Sequence, residues 1–130
     1  MMLSDIRDYF TKNFGWNESV SIAKIDQNKD IAVCFYDSKQ PRAKETAIGG
    51  KKNKSYTVKP VAVLLRFGTN AKNAEQKAEE IYNFFDEKTI YINEKRVFII
   101  SRYDSAIALG TDEKGIYEYS FYFDFYETKG

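Results

Sequence analysis

The sequence predicts an α+β protein in which a mainly antiparallel sheet of about five to six strands packs with two amphipathic helices. Helical periodicity occurs twice, and between the two helices and after the second lie segments rich in β-branched and aromatic residues, separated by turn formers. The 130 residues are 43% hydrophobic and 16% aromatic, sufficient for one core without disulfides or metals. We therefore predict a single domain over residues 1–130.

The first predicted helix lies near the N-terminus. Leu3, Ile6, Phe10 and Phe14 recur at intervals of three or four residues, so they share one face of a helix that Gly15 is expected to end. This face should pack on the core.

Two short strands follow, over residues 20–25 and 31–36. The turn formers of residues 26–30 separate them, which predicts a β-hairpin. Cys34 lies in the second strand among apolar neighbours and is the single cysteine of the chain, so we expect a buried, unreactive thiol and no internal disulfide.

A long basic loop is predicted between strands 2 and 3, over residues 37–55. It carries a net charge of +4, whereas the rest of the chain carries −3. The cationic residues, our candidates for a protein interface, are Lys39, Arg42, Lys44, Lys51, Lys52 and Lys54. Loops of this length are commonly functional or disordered, so both a solvated loop and one that orders on a partner remain open.

The third strand is predicted over residues 56–67, with Pro60 at an edge or bulge. Its apolar run at residues 61–65 is typical of a central strand covered on both faces.

The second helix is the clearest element of the sequence. Its apolar stripe has helical spacing, and Asn70 or Asn73 is available as the N-cap. The stripe consists of Ala71, Ala74, Ala78, Ile81 and Phe85.

A second hairpin is predicted over residues 89–92 and 95–101, because Asn93 and Glu94 between them fit a two-residue turn. After it we expect an irregular stretch that ends in a tight loop at residues 110–115.

The last predicted strand, residues 116–126, alternates strictly over its whole length. One face carries Tyr117, Tyr119, Phe121, Phe123 and Phe125 and should line the core. On the other face Tyr122 and Tyr126 flank Asp124, a composition typical of protein interfaces, so both tyrosines are interface candidates.

The composition argues against catalysis. The chain has no histidine, which excludes Ser-His and Cys-His nucleophile pairs and His-ligated zinc. Asp104, Asp112 and Glu113 lack the spacing of a calcium loop, and residues 49–52 lack the context of a phosphate-binding loop. We predict no catalytic residue, cofactor or metal.

The balanced net charge of +1 gives no general attraction to nucleic acids. A nucleic-acid-binding module using the basic loop and Tyr56 is a weaker alternative. Because we find neither a leader nor an apolar stretch of about 18 residues, we expect a cytoplasmic protein with no membrane contact.

The second half of the chain resembles the bacteriophage minor capsid or tail terminator proteins of phages and prophages of Gram-positive bacteria. The resemblance rests on residues 64–69 (LLRFGT), the alanine-spaced helix over residues 73–82, and residues 109–115 (LGTDEKG) before the aromatic final strand. These patterns cover roughly the last seventy residues.

This resemblance implies a structural protein rather than an enzyme. Such subunits form a homo-oligomeric ring, usually a hexamer, at the neck of the virion; the ring stops growth of the tail tube and docks head-completion proteins. The expected partners are other copies of the chain, the tail tube protein, head-completion or connector proteins, and DNA in the lumen without sequence specificity. Assembly would take place in the cytoplasm of the bacterial host. A head-tail connector component is the alternative.

Overall fold

The computed structural model describes residues 1–38 and 56–128. Its two α-helices are α1 (Leu3–Phe10) and α2 (Ala71–Phe85). Its strands are β1 (Ser19–Ile22), β2 (Ile31–Asp37), β3 (Tyr56–Phe67), β4 (Thr89–Ile92), β5 (Lys95–Ser101), β6 (Ile107–Thr111) and β7 (Tyr117–Thr128). Most of the predicted basic loop, including Lys39, Arg42, Lys44, Lys51, Lys52 and Lys54, lies outside the described residues.

The strands form one sheet in the order β1-β2-β3-β7-β5-β4, and β6 also pairs with β7. Strand β7 has β3 along one side, and β5 and β6 one after the other along the opposite side. The α+β prediction is confirmed. The sheet is mixed rather than purely antiparallel, because β1 and β2 are parallel.

The predicted hairpin of residues 20–25 and 31–36 is therefore wrong. In the observed register Ile22 lies opposite Phe35, and both strands run in the same direction. A hairpin would have reversed one of them.

The reason lies in the residues that follow β1. Ala23 adopts a positive φ of 67°, and its N–H donates to the carbonyl oxygen of Phe35 at 2.9 Å. The end of β1 thus lies beside Phe35, in the second half of β2. The chain must then run back along the sheet to Ile31, where β2 begins. The predicted turn does form, with the N–H of Asn28 donating to the Asp26 carboxylate at 3.0 Å, but it belongs to this return loop.

Helix α1 buries Ile6 and Phe10, as predicted. It continues into a π-helical turn, Thr11–Gly15, and the positive φ of Gly15 (79°) marks the end of the helical segment. The ring of Phe10 stacks on Phe85 with 5.8 Å between centroids. Helix α1 is thereby joined to α2 through the core.

Helix α2 also follows the prediction. The Asn70 side chain accepts the N–H of Asn73 at 3.0 Å and caps the helix. The predicted stripe is buried except for Ala71 in the first turn, which is exposed. Both helices cover the same face of the sheet, which we call the inner face.

The second hairpin is confirmed: β4 and β5 are antiparallel, and Asn93 and Glu94 adopt φ values of 52° and 66°. Both central residues of a type I′ turn require positive φ. The tight loop before β7 is also present, with the N–H of Gly115 donating to the carbonyl oxygen of Asp112 at 3.0 Å. Strand β6, in contrast, occupies part of the stretch predicted to be irregular.

The alternation of β7 is confirmed, over bounds shifted slightly from those predicted. Phe121, Phe123 and Phe125 are buried on the inner face among residues of β3 and α2. The even-numbered residues of β7 therefore lie on the opposite face of the sheet, which we call the outer face.

Candidate protein interaction surfaces

Tyr122 and Tyr126, the candidates from the last strand, both lie on the outer face and are half-buried. The ring of Tyr126 packs edge-on against Tyr56, with 5.4 Å between centroids. The ring of Tyr122 packs in the same manner against Tyr103 at 5.6 Å. Each tyrosine is thus packed against a second aromatic ring, which restricts its side-chain rotamers.

Asp124, between the two tyrosines, is not the surface charge that its pattern indicates. It is 3% exposed, and its carboxylate accepts from Nε of Arg102 at 3.2 and 3.3 Å. The backbone N–H of Arg102 donates to the carbonyl oxygen of Tyr122 at 2.9 Å. This ion pair fastens the turn after β5 to β7.

Neighbouring strands add apolar side chains to the same face. Phe98 lies opposite Tyr126, and Ile100 lies opposite Asp124. Tyr91, Phe98 and Ile100 are 66%, 38% and 37% exposed. We define the outer aromatic surface as Tyr91, Phe98, Ile100, Tyr122 and Tyr126.

Such a group of exposed aromatic and aliphatic side chains is typical of a protein interface. Sequence reasoning missed Phe98 and Ile100, because β5 is apolar on both of its faces and its alternation is therefore weak.

A buried ion network closes one end of the outer face. Arg66 of β3 is 3% exposed, and its Nη1 and Nη2 donate to Glu118 at 3.0 Å and Asp112 at 2.9 Å. Its Nε donates to the carbonyl oxygen of Lys29 at 3.3 Å. One guanidinium therefore joins β3, β7, the return loop and the tight loop at residues 112–115.

Asp112 is the most connected acid of this network. Its carboxylate also accepts the N–H groups of Ile116 at 2.9 Å and Lys114 at 2.8 Å. These hydrogen bonds, first that from Ile116, and the ion pair with Arg66 hold the pKa of Asp112 below its ordinary value. Asp112 thus joins the tight loop to β3 through Arg66 and stabilises the fold.

A second surface lies between α2 and β6. It is an open groove of about 500 Å³. Its lining residues are Glu75, Ala78, Glu79, Tyr82, Asn83, Asp104, Ser105, Ala106, Ala108 and Tyr119. We call it the α2–β6 groove; three of its lining side chains are acids and none is basic. Sequence reasoning did not find it, because β6 was not predicted.

Two possible sources of chemistry in the described residues are metal-binding clusters and a reactive cysteine. Within residues 1–38 and 56–128, no cluster of three or more His, Cys, Asp or Glu could hold a metal ion. Cys34 is buried, as predicted, and burial raises the pKa of its thiol, which disfavours the reactive thiolate. No helix in the described part of the chain is long and apolar enough to span a membrane.

Comparison with known proteins gave one match. No curated protein and no solved structure matches this chain. The family model described as "Bacteriophage tail terminator protein" matches residues 11–126. This match includes the first half of the chain, where the resemblance carried by residues 64–69 and 109–115 did not reach. It agrees with the prediction of a structural protein rather than an enzyme. The chain belongs to the bacteriophage tail terminator family, whose members are structural proteins of the virion tail and not enzymes.

Proposed function

We propose that this protein caps the tail tube as a homo-oligomeric ring, ends tube polymerisation and offers a docking surface to head-completion proteins. The observation that carries the proposal is the family match over residues 11–126. A hexamer is the stoichiometry we expect from the resemblance.

The distribution of surfaces supports this proposal. A ring assembled head to tail requires two different patches on each subunit, one for each neighbour, and further surface for the tube and the head side. The chain has an apolar patch, the outer aromatic surface, and an acidic one, the α2–β6 groove. They lie on different parts of the fold, so one subunit can contact several partners at once.

The outer aromatic surface is the proposed contact with the tail tube protein or the head-completion proteins. Its side chains stand on β4, β5 and β7 of one hydrogen-bonded sheet, and a rigid support lowers the entropic cost of binding. The net charge of +4 over residues 37–55 would favour a neighbouring subunit or DNA in the lumen.

Electron microscopy of particles assembled without this protein tests the proposal. Tails of uncontrolled length that do not join heads are the expected result, because nothing would stop addition of tube subunits. Complementation with the intact gene should restore uniform tails.

Tails of normal length that lack heads would contradict termination and favour a head-tail connector. Normal, infectious particles would exclude both roles.

A further inference from the structure

We propose that the α2–β6 groove binds the cationic segment of residues 39–55 from a neighbouring copy of this chain. The inference rests on the proposed ring and assigns one of its subunit contacts. Three properties of the groove and two of the segment support it.

The first property is the charge of the groove. Glu75 and Glu79 project from consecutive turns of α2, and Asp104 faces them from the turn after β5. All three are exposed, so their carboxylates are available to a partner. Neither lysine of α2, Lys72 or Lys77, lines the groove. The ammonium group of Lys77 lies 3.2 Å from Glu80 and 5.7 Å from the centroid of the Phe67 ring.

The second property is the shape and chemistry of the walls. Ala78, Ala106 and Ala108 are small, which leaves room for long side chains between α2 and β6. Tyr82 and Tyr119 add aromatic surface, and the Tyr82 hydroxyl is fixed by donating to the carbonyl oxygen of Tyr103 at 2.8 Å. Lysine and arginine pack their methylene stems on such rings while their charged groups reach carboxylates.

The third property is an open strand edge. Strand β6 pairs with β7 on one side, and no other described strand pairs with its second side. Its residues 108–111 are exposed and uncharged. An edge of this kind offers backbone donors and acceptors to an added extended segment.

The segment has the complementary charge. Residues 39–55 contain six Lys or Arg and one acid, Glu45. No aromatic residue and few large apolar residues occur in it, so a polar, acidic groove suits it better than the outer aromatic surface.

Geometry favours a neighbouring copy over the same chain. The segment leaves β2 after Ser38 and rejoins the sheet at Tyr56, whereas the groove residue Tyr119 lies opposite Leu65. Along β3, the path from Tyr56 to Leu65 is about 30 Å. Residues 39–55 span at most about 60 Å when fully extended, so within one chain the segment would reach the Tyr119 end of the groove only near full extension. A neighbouring copy has no such restriction.

Two charge-reversed variants test the contact. The groove variant carries E75K, E79K and D104K. The segment variant carries K51E, K52E and K54E. Each is expressed in cells infected with a phage that lacks the intact gene, alone or together with the other, and infectious particles are counted.

Alone, each variant would place like charges against each other, and we expect particle yield to fall about tenfold or more. Together they should restore the yield, because subunits that alternate around the ring bring the wild-type segment to the wild-type groove and the reversed segment to the reversed groove. Contact within one chain would not be rescued, since each chain would keep its own repulsion.

A matched control variant, E18K, E87K and E94K, changes the net charge equally at exposed sites away from the groove and should leave the yield unchanged. Thermal unfolding should show similar stability for all variants, since the substituted groove residues are exposed. If the groove variant unfolds, a variant with E75Q, E79Q and D104N replaces it. We then expect this variant to reduce particle yield, and adding the segment variant should not reduce the yield further.

Normal yield from both variants would overturn the inference. So would a defect of the groove variant alone, which would assign the groove to a different partner, or two defects without rescue. The result is separable from the proposed function: if tails lacking the protein have normal length, termination is wrong, while rescue would still establish the contact between copies.

Discussion

The inner and outer faces of the sheet are formed by the same strands but carry different kinds of side chain. On the inner face, β7 contributes Phe121, Phe123 and Phe125, which pack under α1 and α2. On the outer face, the same strand contributes half-buried tyrosines and the buried Asp124. The inner face is stabilised mainly by apolar burial, whereas the outer face combines ion pairs with exposed rings. The alternation of β7 thus separates the apolar core from the outer aromatic surface.

The largest effect on stability should come from the inner face. Phe85 is fully buried, and its ring lies 5.3 Å from that of Phe123 and 4.9 Å from that of Phe84. We expect Phe85→Ala to lower the free energy of unfolding by about 4 kcal/mol, because it removes a large apolar side chain and leaves a cavity. Denaturant unfolding measures this loss.

The matched variant on the outer face is Phe98→Ala, which should cost less than about 1 kcal/mol because the side chain is already partly exposed. Equal losses from the two variants would refute the contrast between the faces.

A smaller loss is expected from the ion network of the outer face. Arg66→Met keeps much of the side-chain volume but leaves Asp112 and Glu118 without their cation. Since both carboxylates are partly exposed and can gain water, we expect a loss of about 2 kcal/mol rather than the full cost of a broken buried pair. Chemical denaturation measures it.

Arg66→Lys serves as the control. It retains the charge but lacks the planar guanidinium that donates to Asp112 and Glu118 at once, and it should recover only part of the lost stability. A Lys variant as stable as the wild type would show that charge alone matters at this site.

The outer aromatic surface should affect assembly far more than stability. Changing Tyr91, Phe98 and Ile100 together to Ser should lower the free energy of unfolding by no more than about 2 kcal/mol, because all three are at least partly exposed. We expect the yield of complete particles to fall at least about tenfold, as for loss of hot-spot residues. Electron microscopy and infectivity measure the effect.

Met2→Ser, another exposed apolar site but outside this surface, is the comparison and should leave yield unchanged. Full infectivity of the triple variant would remove the outer aromatic surface as a docking site.

The smallest expected effect is a pH dependence of the free energy of unfolding, which arises from the ion network of the outer face. The pKa of Asp112 is lowered in the folded protein, first by the N–H of Ile116 and then by Arg66. A lowered pKa contributes stability above the ordinary value of about 3.9, and this contribution is lost as the pH falls through the folded-state pKa.

Asp112→Asn should therefore be less stable than the wild type at neutral pH, with the difference narrowing below about pH 4. Urea unfolding at a series of pH values tests this expectation. Asp5, whose pKa is also lowered, remains in both proteins and cancels in the comparison. If the two proteins differ in free energy of unfolding by the same amount at every pH, the lowered pKa of Asp112 does not contribute to stability.

Local signals in the sequence predict much of this fold. The cap at Asn70 and the paired positive φ values of Asn93 and Glu94 each depend on neighbouring residues, so sequence alone reveals them. The buried face of β7 follows from strict alternation. Membership in the family was likewise indicated by local patterns near residues 64–69 and 109–115.

Features that depend on distant partners were not predicted. The direction of β1 depends on the hydrogen bond between Ala23 and Phe35, which no local pattern specifies. Strand β6 is short and mostly exposed, so it has little hydrophobic periodicity. Because β6 was not predicted, the α2–β6 groove could not be predicted either. The burial of Asp124 depends on Arg102, which approaches from a turn.

The position of β7 in the sheet also has a consequence for when the subunit becomes usable. Tyr56 pairs with Thr128, and β5 and β6 depend on the same strand. These pairings join residues far apart in sequence, so the sheet cannot close until β7 has left the ribosome, and its formation is expected to be slow. A newly synthesised chain therefore cannot complete its sheet until β7, up to Thr128, has been synthesised. For the capping role proposed above, this delay would keep incomplete subunits from attaching to growing tails.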